Sequence, residues 1–195
     1  MPCFGLTGGI ACGKSTAASF LEKKGVRVVD TDRIAHHLME PGGENWQKIV
    51  DTFGAKILNT DRTIHRRSLA ELVFRQPPLR QKLNEITSPA IRQVWLSEKS
   101  HFETTFPGKS LVIMIPLLFE RDLAPHFDAT VCVGCPSGRQ LRHLRERGLA
   151  AGAAQERLAS QWPLDEKMKR ADLVLWNSGS LDLLKRQVDR LPLPR

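Results

Sequence analysis

The sequence has no tyrosine and only 6% aromatic residues. It therefore lacks the stacked rings with which single-stranded nucleic acid is usually gripped. No apolar run approaches the ~20 residues that a membrane-spanning helix needs. The longest, Leu111 to Phe119, is interrupted by Pro116. Met1-Pro2-Cys3-Phe4-Gly5-Leu6-Thr7 carries no basic stretch ahead of an apolar one, so no signal peptide is expected and a cytoplasmic protein without membrane attachment is. There is no internal repeat, low-complexity tract or lysine-rich tail. Four cysteines are scattered at Cys3, Cys12, Cys132 and Cys135. Cys132 and Cys135 spell C-x-x-C, but zinc would want a second ligand pair at similar spacing, and none is present. Two small apolar thiols at a buried strand end are the simpler reading.

What is present fits one domain, or one core with a helical insertion: 195 residues, 41% of them hydrophobic. Lys and Arg number 29 against 21 Asp and Glu, a net charge of +8. A basic chain seeks polyanions. Its arginines gather between Arg139 and Arg147 in a helix-like stretch, which suits a multiply phosphorylated small molecule better than DNA.

Short apolar runs read as strands at Cys3 to Thr7, Val26 to Val29, Leu111 to Ile115, Ala129 to Val133 and Leu173 to Trp176. Between them lie helical patterns at Ser15 to Lys24, Ile34 to Met39, Trp46 to Phe53, Arg67 to Phe74, Leu79 to Ile86 and Pro89 toward Phe102. More follow at Ser137 to Arg147, at Ala153 to Gln161, and after Ser180. Continuously apolar strands alternating with helices predict an α/β fold with a parallel sheet covered on both faces. The strand-poor middle breaks the alternation. It implies a core of about 1–59 and 107–195 and a helical insertion of about 60–106.

Gly8-Gly9-Ile10-Ala11-Cys12-Gly13-Lys14-Ser15, followed by Thr16, fits G-x-x-x-x-G-K-[ST]. A strand precedes it and a helix follows, the context that gives the pattern its meaning. Glycines let the backbone curl so that successive N–H groups face phosphate oxygens, and the helix turns its positive end to the same anion. Lys14 is placed to reach the β- and γ-phosphates of ATP, and the Ser15 hydroxyl to ligate Mg²⁺. As plain structure, this would be a glycine turn with an incidental lysine.

A guanine-reading N-K-x-D is absent, and Leu111 to Ile115 runs into Pro116 rather than an acid. Both facts disfavour a GTPase switch or an ATPase motor. A small-molecule kinase needs a carboxylate to orient the acceptor and mobile arginines over the γ-phosphate. Asp30 and Asp32 stand just past the second strand, at the sheet edge where α/β proteins bind ligands. Their plain structural use would be to cap the next helix. Arg139, Arg142, Arg145 and Arg147 supply the cations, or else form a solvated basic face.

Several motifs together resemble dephospho-CoA kinase. They are Leu6-Thr7-Gly8-Gly9-Ile10 into Gly13-Lys14-Ser15-Thr16, then Val29-Asp30-Thr31-Asp32, then Pro116-Leu117-Leu118-Phe119-Glu120. Ser160-Gln161-Trp162-Pro163-Leu164, Lys167, Ala171-Asp172 and Asn177-Ser178-Gly179 complete the order over nearly the whole chain. The resemblance implies a P-loop NTPase-type core, a helical substrate-binding insertion and an arginine-bearing lid at about 137–163. It implies transfer of phosphate from ATP, with Mg²⁺, to the 3′-hydroxyl of dephospho-CoA, by a monomer or weak homo-oligomer with no nucleic-acid partner. By position, Asp32 matches the base, Arg147 a lid arginine assisted by Arg142, and Asn177 the segment near the ATP base. Asp30, Ser88 and Leu117 fall where acceptor contacts are expected. Ser88, Gly134, His143, Gly148 and Trp176 differ from the family's usual residues. Another P-loop small-molecule or nucleotide kinase, and a degenerate ATP-binding relative with reduced turnover, fit the same residues.

Overall fold

The computed structural model describes residues 2–193. Strands β1 (Cys3–Gly8), β2 (Arg27–Asp30), β3 (Leu111–Met114), β4 (Ala129–Gly134) and β5 (Leu173–Trp176) form one sheet in the order β2-β3-β1-β4-β5. β1 runs parallel to both β3 and β4, and β4 parallel to β5. The unbroken apolar runs follow from burial on both faces: every residue of β1 and of β3 is buried.

The chain forms two compact units, Met1–Val29 with His101–Arg195, and Asp30–Ser100. In the first, α1 (Lys14–Lys23) and α9 (Leu181–Asp189) set Ala17, Leu21, Leu184 and Val188 against Leu6, Val112, Val131 and Leu175. Lys24 joins these helices: its Nζ donates to the carbonyls of Val188 (3.2 Å) and Asp189 (3.1 Å) at the C-terminal end of α9. Ser180 caps α9 as its sequence implies, its Oγ accepting from the Leu183 amide. The remaining helices of this unit are α6 (Ser137–Glu146), α7 (Ala151–Ala159) and α8 (Leu164–Arg170). The last was not expected beyond Pro163. Its start is favoured by Asp165 and Glu166 in the first turn, with Lys169 and Arg170 in the last, both complementing the helix dipole.

At the sheet edge, β5 would present bare backbone groups. Gln187 of α9 blunts them, accepting from the Trp176 amide (2.8 Å) and donating to the Trp176 carbonyl (3.0 Å). At the other end of β5, Asp172 Oδ2 accepts from Thr130 N (2.7 Å) and Thr130 Oγ1 (2.8 Å), which ties β5 to β4.

The second unit is helical: α2 (Thr31–Leu38), α3 (Glu44–Phe53), α4 (Arg66–Arg75) and most of α5 (Pro77–Thr105). Trp46, Ile49, Phe53, Ile57, Ile64 and Leu69 form its core. This unit begins at Asp30, well before residue 60. Asp30 caps α2, and the chain stays helical with its own apolar cluster from there on. α5 also corrects a boundary. The expected break before Pro89 does not occur, and Pro89 sits inside one continuous helix. Proline removes one backbone donor and costs about 3 kcal/mol in a helix interior. Burial of Leu79, Leu83 and Ile86 against the cluster outweighs that cost.

The hydrogen bonds from Thr130 hold the Asp172 carboxyl below the usual carboxylate range. A depressed pKa adds stability above the unfolded value, about 3.9, and that stability is lost as pH falls through the lower folded value. Asp172→Asn is therefore expected to unfold at lower denaturant than wild type at pH 7, with the gap narrowing in strong acid. Urea midpoints at neutral and acid pH check this; a gap that does not narrow would contradict it.

Candidate active site

The loop between β1 and α1 is curled by backbone conformations that side chains resist. Gly8 and Gly13 have φ of 149° and 100°, and Ala11 joins them at 58°. A Cβ on Gly8 would overlap the Val133 carbonyl, and one on Gly13 would lie 2.6 Å from Asn177 Nδ2. These two glycines are thus required by close approach as well as by φ. No side chain caps α1 and its first turn holds no acid, so its leading amides remain available to an anion. Lys14 opens the helix and Ser15 is exposed beside it.

Curling the amides inward turns the carbonyls outward into protein, where each needs a donor. The Gly9 carbonyl receives the Cys12 amide (3.3 Å), and the Gly13 carbonyl the Ala17 amide (3.0 Å). Side chains serve the three between. Gln140 Nε2 donates to the Ile10 carbonyl (2.8 Å), His143 Nδ1 to Ala11 (2.9 Å) and Asn177 Nδ2 to Cys12 (2.9 Å). Since a carbonyl can only accept, the His143 proton facing it is on Nδ1. The apolar members of the loop hold the same neighbours: Ile10 and Ala11 pack with Leu141, Leu144, Ala154 and Leu158 of α6 and α7.

A cavity of ≈ 310 Å³ opens beside the loop, lined by Ala11, Gly13, Thr16, Arg139, Arg147 and Asn177, with His143 and Glu146 among its further walls. Arg139 is held there by its own fork, donating to the carbonyls of Asn177 and Gly179, both at 3.0 Å. Its Nε and the Asn177 Oδ1 are buried without protein partners. Arg147, at the end of α6, is exposed on the cavity wall. Arg142 is not on that wall; it is exposed, with its Nε 3.9 Å from Glu146 Oε1.

Lys167 stood in the motif order that carries the resemblance, but with no role assigned to it. It is fully buried, 2.6 Å from Glu120 Oε1, and its Nζ also donates to the Pro116 carbonyl (3.2 Å) and Gln161 Oε1 (3.3 Å). The Pro116 carbonyl also accepts from Thr7 Oγ1, and Glu120 accepts from the Trp162 amide. One ion pair thereby joins the segment after β3 to the start of α8. Within that segment Leu118 and Phe119 are buried, while Leu117 is half-buried.

In the helical unit, Asp30 is the cap that plain structure suggested. Its Oδ1 accepts from the Asp32 amide (2.9 Å), and its Oδ2 lies 3.9 Å from Arg33. Asp32 is exposed in the first turn of α2. Ser88 lines a groove of ≈ 630 Å³ along α5, with Arg80, Gln81 and Asn84. Among the described residues no cluster of three or more His, Cys, Asp or Glu could hold a metal ion by itself. The donor that does fit a hard cation beside the phosphate loop is the exposed Ser15 hydroxyl.

The other unusual residues have physical explanations. Gly134 faces Trp176 across the β4–β5 register, and a Cβ on Gly134 would lie 3.0 Å from the indole and 2.7 Å from Met168 Sδ. These two departures are one exchange, a missing side chain making room for a ring. Gly148 ends α6 at φ 85°, its amide bonding the Arg145 carbonyl (2.8 Å), a turn that glycine adopts most easily.

A curled glycine loop joining the first strand to the first helix of a parallel sheet, with that helix's first turn left uncapped for an anion, defines a P-loop protein of the NTPase type. The family model for dephospho-CoA kinase matches residues 2–182. Dephospho-CoA kinase of Thermosynechococcus vestitus is 44% identical over 188 residues, spanning 95% of this chain and 91% of that one. The Geobacillus kaustophilus enzyme of the same name is 42% identical, spanning 94% and 92%. Among solved structures, TT1252 from Thermus thermophilus superposes with a TM-score of 0.79 at 32% identity, covering 96% of this chain and 94% of that one. Dephospho-CoA kinase from Campylobacter jejuni superposes at 0.71 and 28%, covering 97% and 94%. The chain belongs to the dephospho-CoA kinase family.

Sequence reasoning brought out the loop, Arg147 and Asn177, which the structure gathers around one cavity. It gave no role to Gln140 or Lys167. Gln140 and His143 stand three apart on one face of α6, a spacing legible only once the loop carbonyls are known to lie opposite.

Two stability effects are expected. Gln140→Leu leaves the Ile10 carbonyl without a donor and should cost about 1–3 kcal/mol. Lys167→Met strands a buried carboxylate and should cost about 3–5 kcal/mol. Chemical denaturation measures both, and a Lys167→Met cost no larger than that of Gln140→Leu would refute the ranking.

Proposed function

We propose that this chain phosphorylates the ribose 3′-hydroxyl of dephospho-CoA with ATP, giving coenzyme A. The observation that carries the proposal is the phosphate loop, with its carbonyls from Gly9 to Gly13 satisfied and no side chain capping α1, in a chain of this family. The loop from Gly8 to Thr16, with Gly9, Ile10, Ala11, Cys12 and Gly13 at its bend, cradles the ATP phosphates with the amides that the fold leaves uncapped. Lys14 contacts the β- and γ-phosphates. Asn177 holds the loop and borders the nucleotide's base. Kinases of this kind act on ATP with a divalent metal; here Ser15 Oγ serves as the chain's ligand to Mg²⁺, which when bound neutralises charge on the transferring phosphate.

Asp32 accepts the proton of the 3′-hydroxyl as that oxygen attacks the γ-phosphorus and ADP leaves. Asp30 holds the first turn of α2 in place for it. Arg147 donates to the oxygens of the moving phosphoryl group, with Arg142 as a second cation when the lid of about 137–163 closes and excludes water. The helical unit, which contains most of the 60–106 segment, binds the acceptor; Ser88 in the groove along α5 and Leu117 after β3 are the acceptor contacts. No helix among the described residues is long and apolar enough to cross a membrane. The reading is of a cytoplasmic enzyme, monomeric or weakly self-associating, with no nucleic-acid partner.

A coupled assay with Mg-ATP and dephospho-CoA tests this directly. Lys14→Ala should lower kcat on the order of 10²–10³-fold, the loss typical of one charge-stabilising donor. Asp32→Asn should lower it about 10²–10⁴-fold while leaving the KM for ATP nearly unchanged. Wild-type protein that makes no CoA yet phosphorylates another alcohol would overturn the acceptor assignment.

A further inference from the structure

The thiols of Cys12 and Cys135 take no part in the phosphoryl transfer set out above. Their residues are 123 apart in the chain, yet the two sulfurs lie 3.3 Å apart. Both residues are buried, at 0% and 1% exposure. Cys12 stands inside the phosphate loop, immediately before Gly13. Cys135 follows β4 and precedes α6 by one residue. The C-x-x-C spelling is misleading here: the contact of Cys135 is with Cys12.

We propose that Cys12 and Cys135 form an oxidative modification site, at which a small peroxide closes a disulfide that distorts the phosphate loop and weakens its hold on ATP. Access comes through Cys135, which borders a second cavity of ≈ 360 Å³ beside Gly9, Gln140 and Trp176. A molecule the size of hydrogen peroxide fits such a space, whereas the rest of the pair is sealed.

The chemistry balances in two steps. The Cys135 thiolate attacks one peroxide oxygen, forming the sulfenic acid and releasing hydroxide. The Cys12 thiol then attacks the sulfenic sulfur, forming the S–S bond; its proton goes to the departing hydroxyl, which leaves as water, and the proton that Cys135 shed on ionising neutralises the hydroxide of the first step. The two sulfurs lose two electrons in all, which reduce one peroxide to two waters. A dithiol reverses the bond by exchange. The hydrogen bond shared with Cys12 holds Cys135 below the ordinary thiol range, and Arg139 adds to this against the opposing effect of burial. The same hydrogen bond, with burial, pushes Cys12 up. Cys135 is therefore the attacking group. Burial also pushes Cys132 up to about 11, which leaves it inert.

Bonding draws the sulfurs from 3.3 Å to about 2.05 Å. That displacement falls on the loop whose Cys12 carbonyl is held by Asn177 and whose amides face the phosphates. A misplacement near 1 Å at a site of this kind costs on the order of 10²-fold.

The test treats the full chain with hydrogen peroxide, alkylates the remaining thiols in denaturant and maps them by peptide mass spectrometry. Mg-ATP binding is titrated in parallel by calorimetry. The expected result is a Cys12–Cys135 cross-linked peptide lighter by two hydrogens, with Cys3 and Cys132 alkylated. ATP affinity should fall at least about tenfold and return with dithiothreitol. Cys135→Ser should bind ATP as the reduced wild type does and be insensitive to peroxide, whereas Cys132→Ser should remain sensitive. A Cys132–Cys135 bridge, or two alkylatable thiols at positions 12 and 135 after treatment, overturns the site. A cross-link with unchanged ATP affinity overturns the switch. Reduced protein that does not bind Mg-ATP would sink the phosphate-loop reading instead, while the cross-link still stands or falls on the masses.

Discussion

A polypeptide that turns consecutive amides toward a phosphate must turn the intervening carbonyls the other way, into its own interior. Buried carbonyls without donors are costly, so the loop from Gly9 to Gly13 exists only where donors meet it. Two come from the backbone nearby, and three are side chains from distant parts of the sequence: Gln140, His143 and Asn177. This requirement sets the position of α6 and of the turn after β5. It also explains why His143, where the family commonly carries another residue, remains at the site, donating to Ala11 instead of covering a phosphate.

Much of the first unit can be understood as support for that loop. The sheet supplies a rigid β1 and, through Val133, a carbonyl that accepts from the Gly9 amide at 3.2 Å. Ile10 and Ala11 anchor the loop by packing on α6 and α7. Arg139 binds the turn that carries Asn177, so one guanidinium holds in place the side chain that satisfies the Cys12 carbonyl. The buried Lys167–Glu120 pair performs a similar service farther out, fastening the segment after β3 to the beginning of α8. The arginine-rich stretch thus divides its labour: Arg139 is structural cement, whereas Arg147 is exposed on the cavity wall.

The same close packing brings two thiols together at the loop. The Cys12 side chain in the loop meets the Cys135 thiol at 3.3 Å. Its neighbour precedes the helix that donates to the Ile10 and Ala11 carbonyls. A covalent bond there would act on the element that the rest of the unit is built to hold still.

Strand positions were legible because β1, β3 and β4, buried on both faces, read as unbroken apolar runs, and β5 matched its run residue for residue although Val174 and Trp176 are exposed at the sheet edge. The glycine loop was legible because its spacing is dictated by phosphate geometry. The continuity of α5 through Pro89 was not, since a proline's local penalty is written in the sequence and the apolar cluster that overrides it is not. Nor was the start of the helical unit at Asp30, which depends on a cap and a core assembled from separate helices. The sequence alone determined the architecture, the phosphate loop and the family, because those rest on local periodicity and fixed spacing. Tertiary structure alone decided which carbonyl Gln140 serves, which carboxylate Lys167 neutralises and which thiol Cys135 meets. Those are contacts between residues far apart in the chain, and no local pattern encodes them.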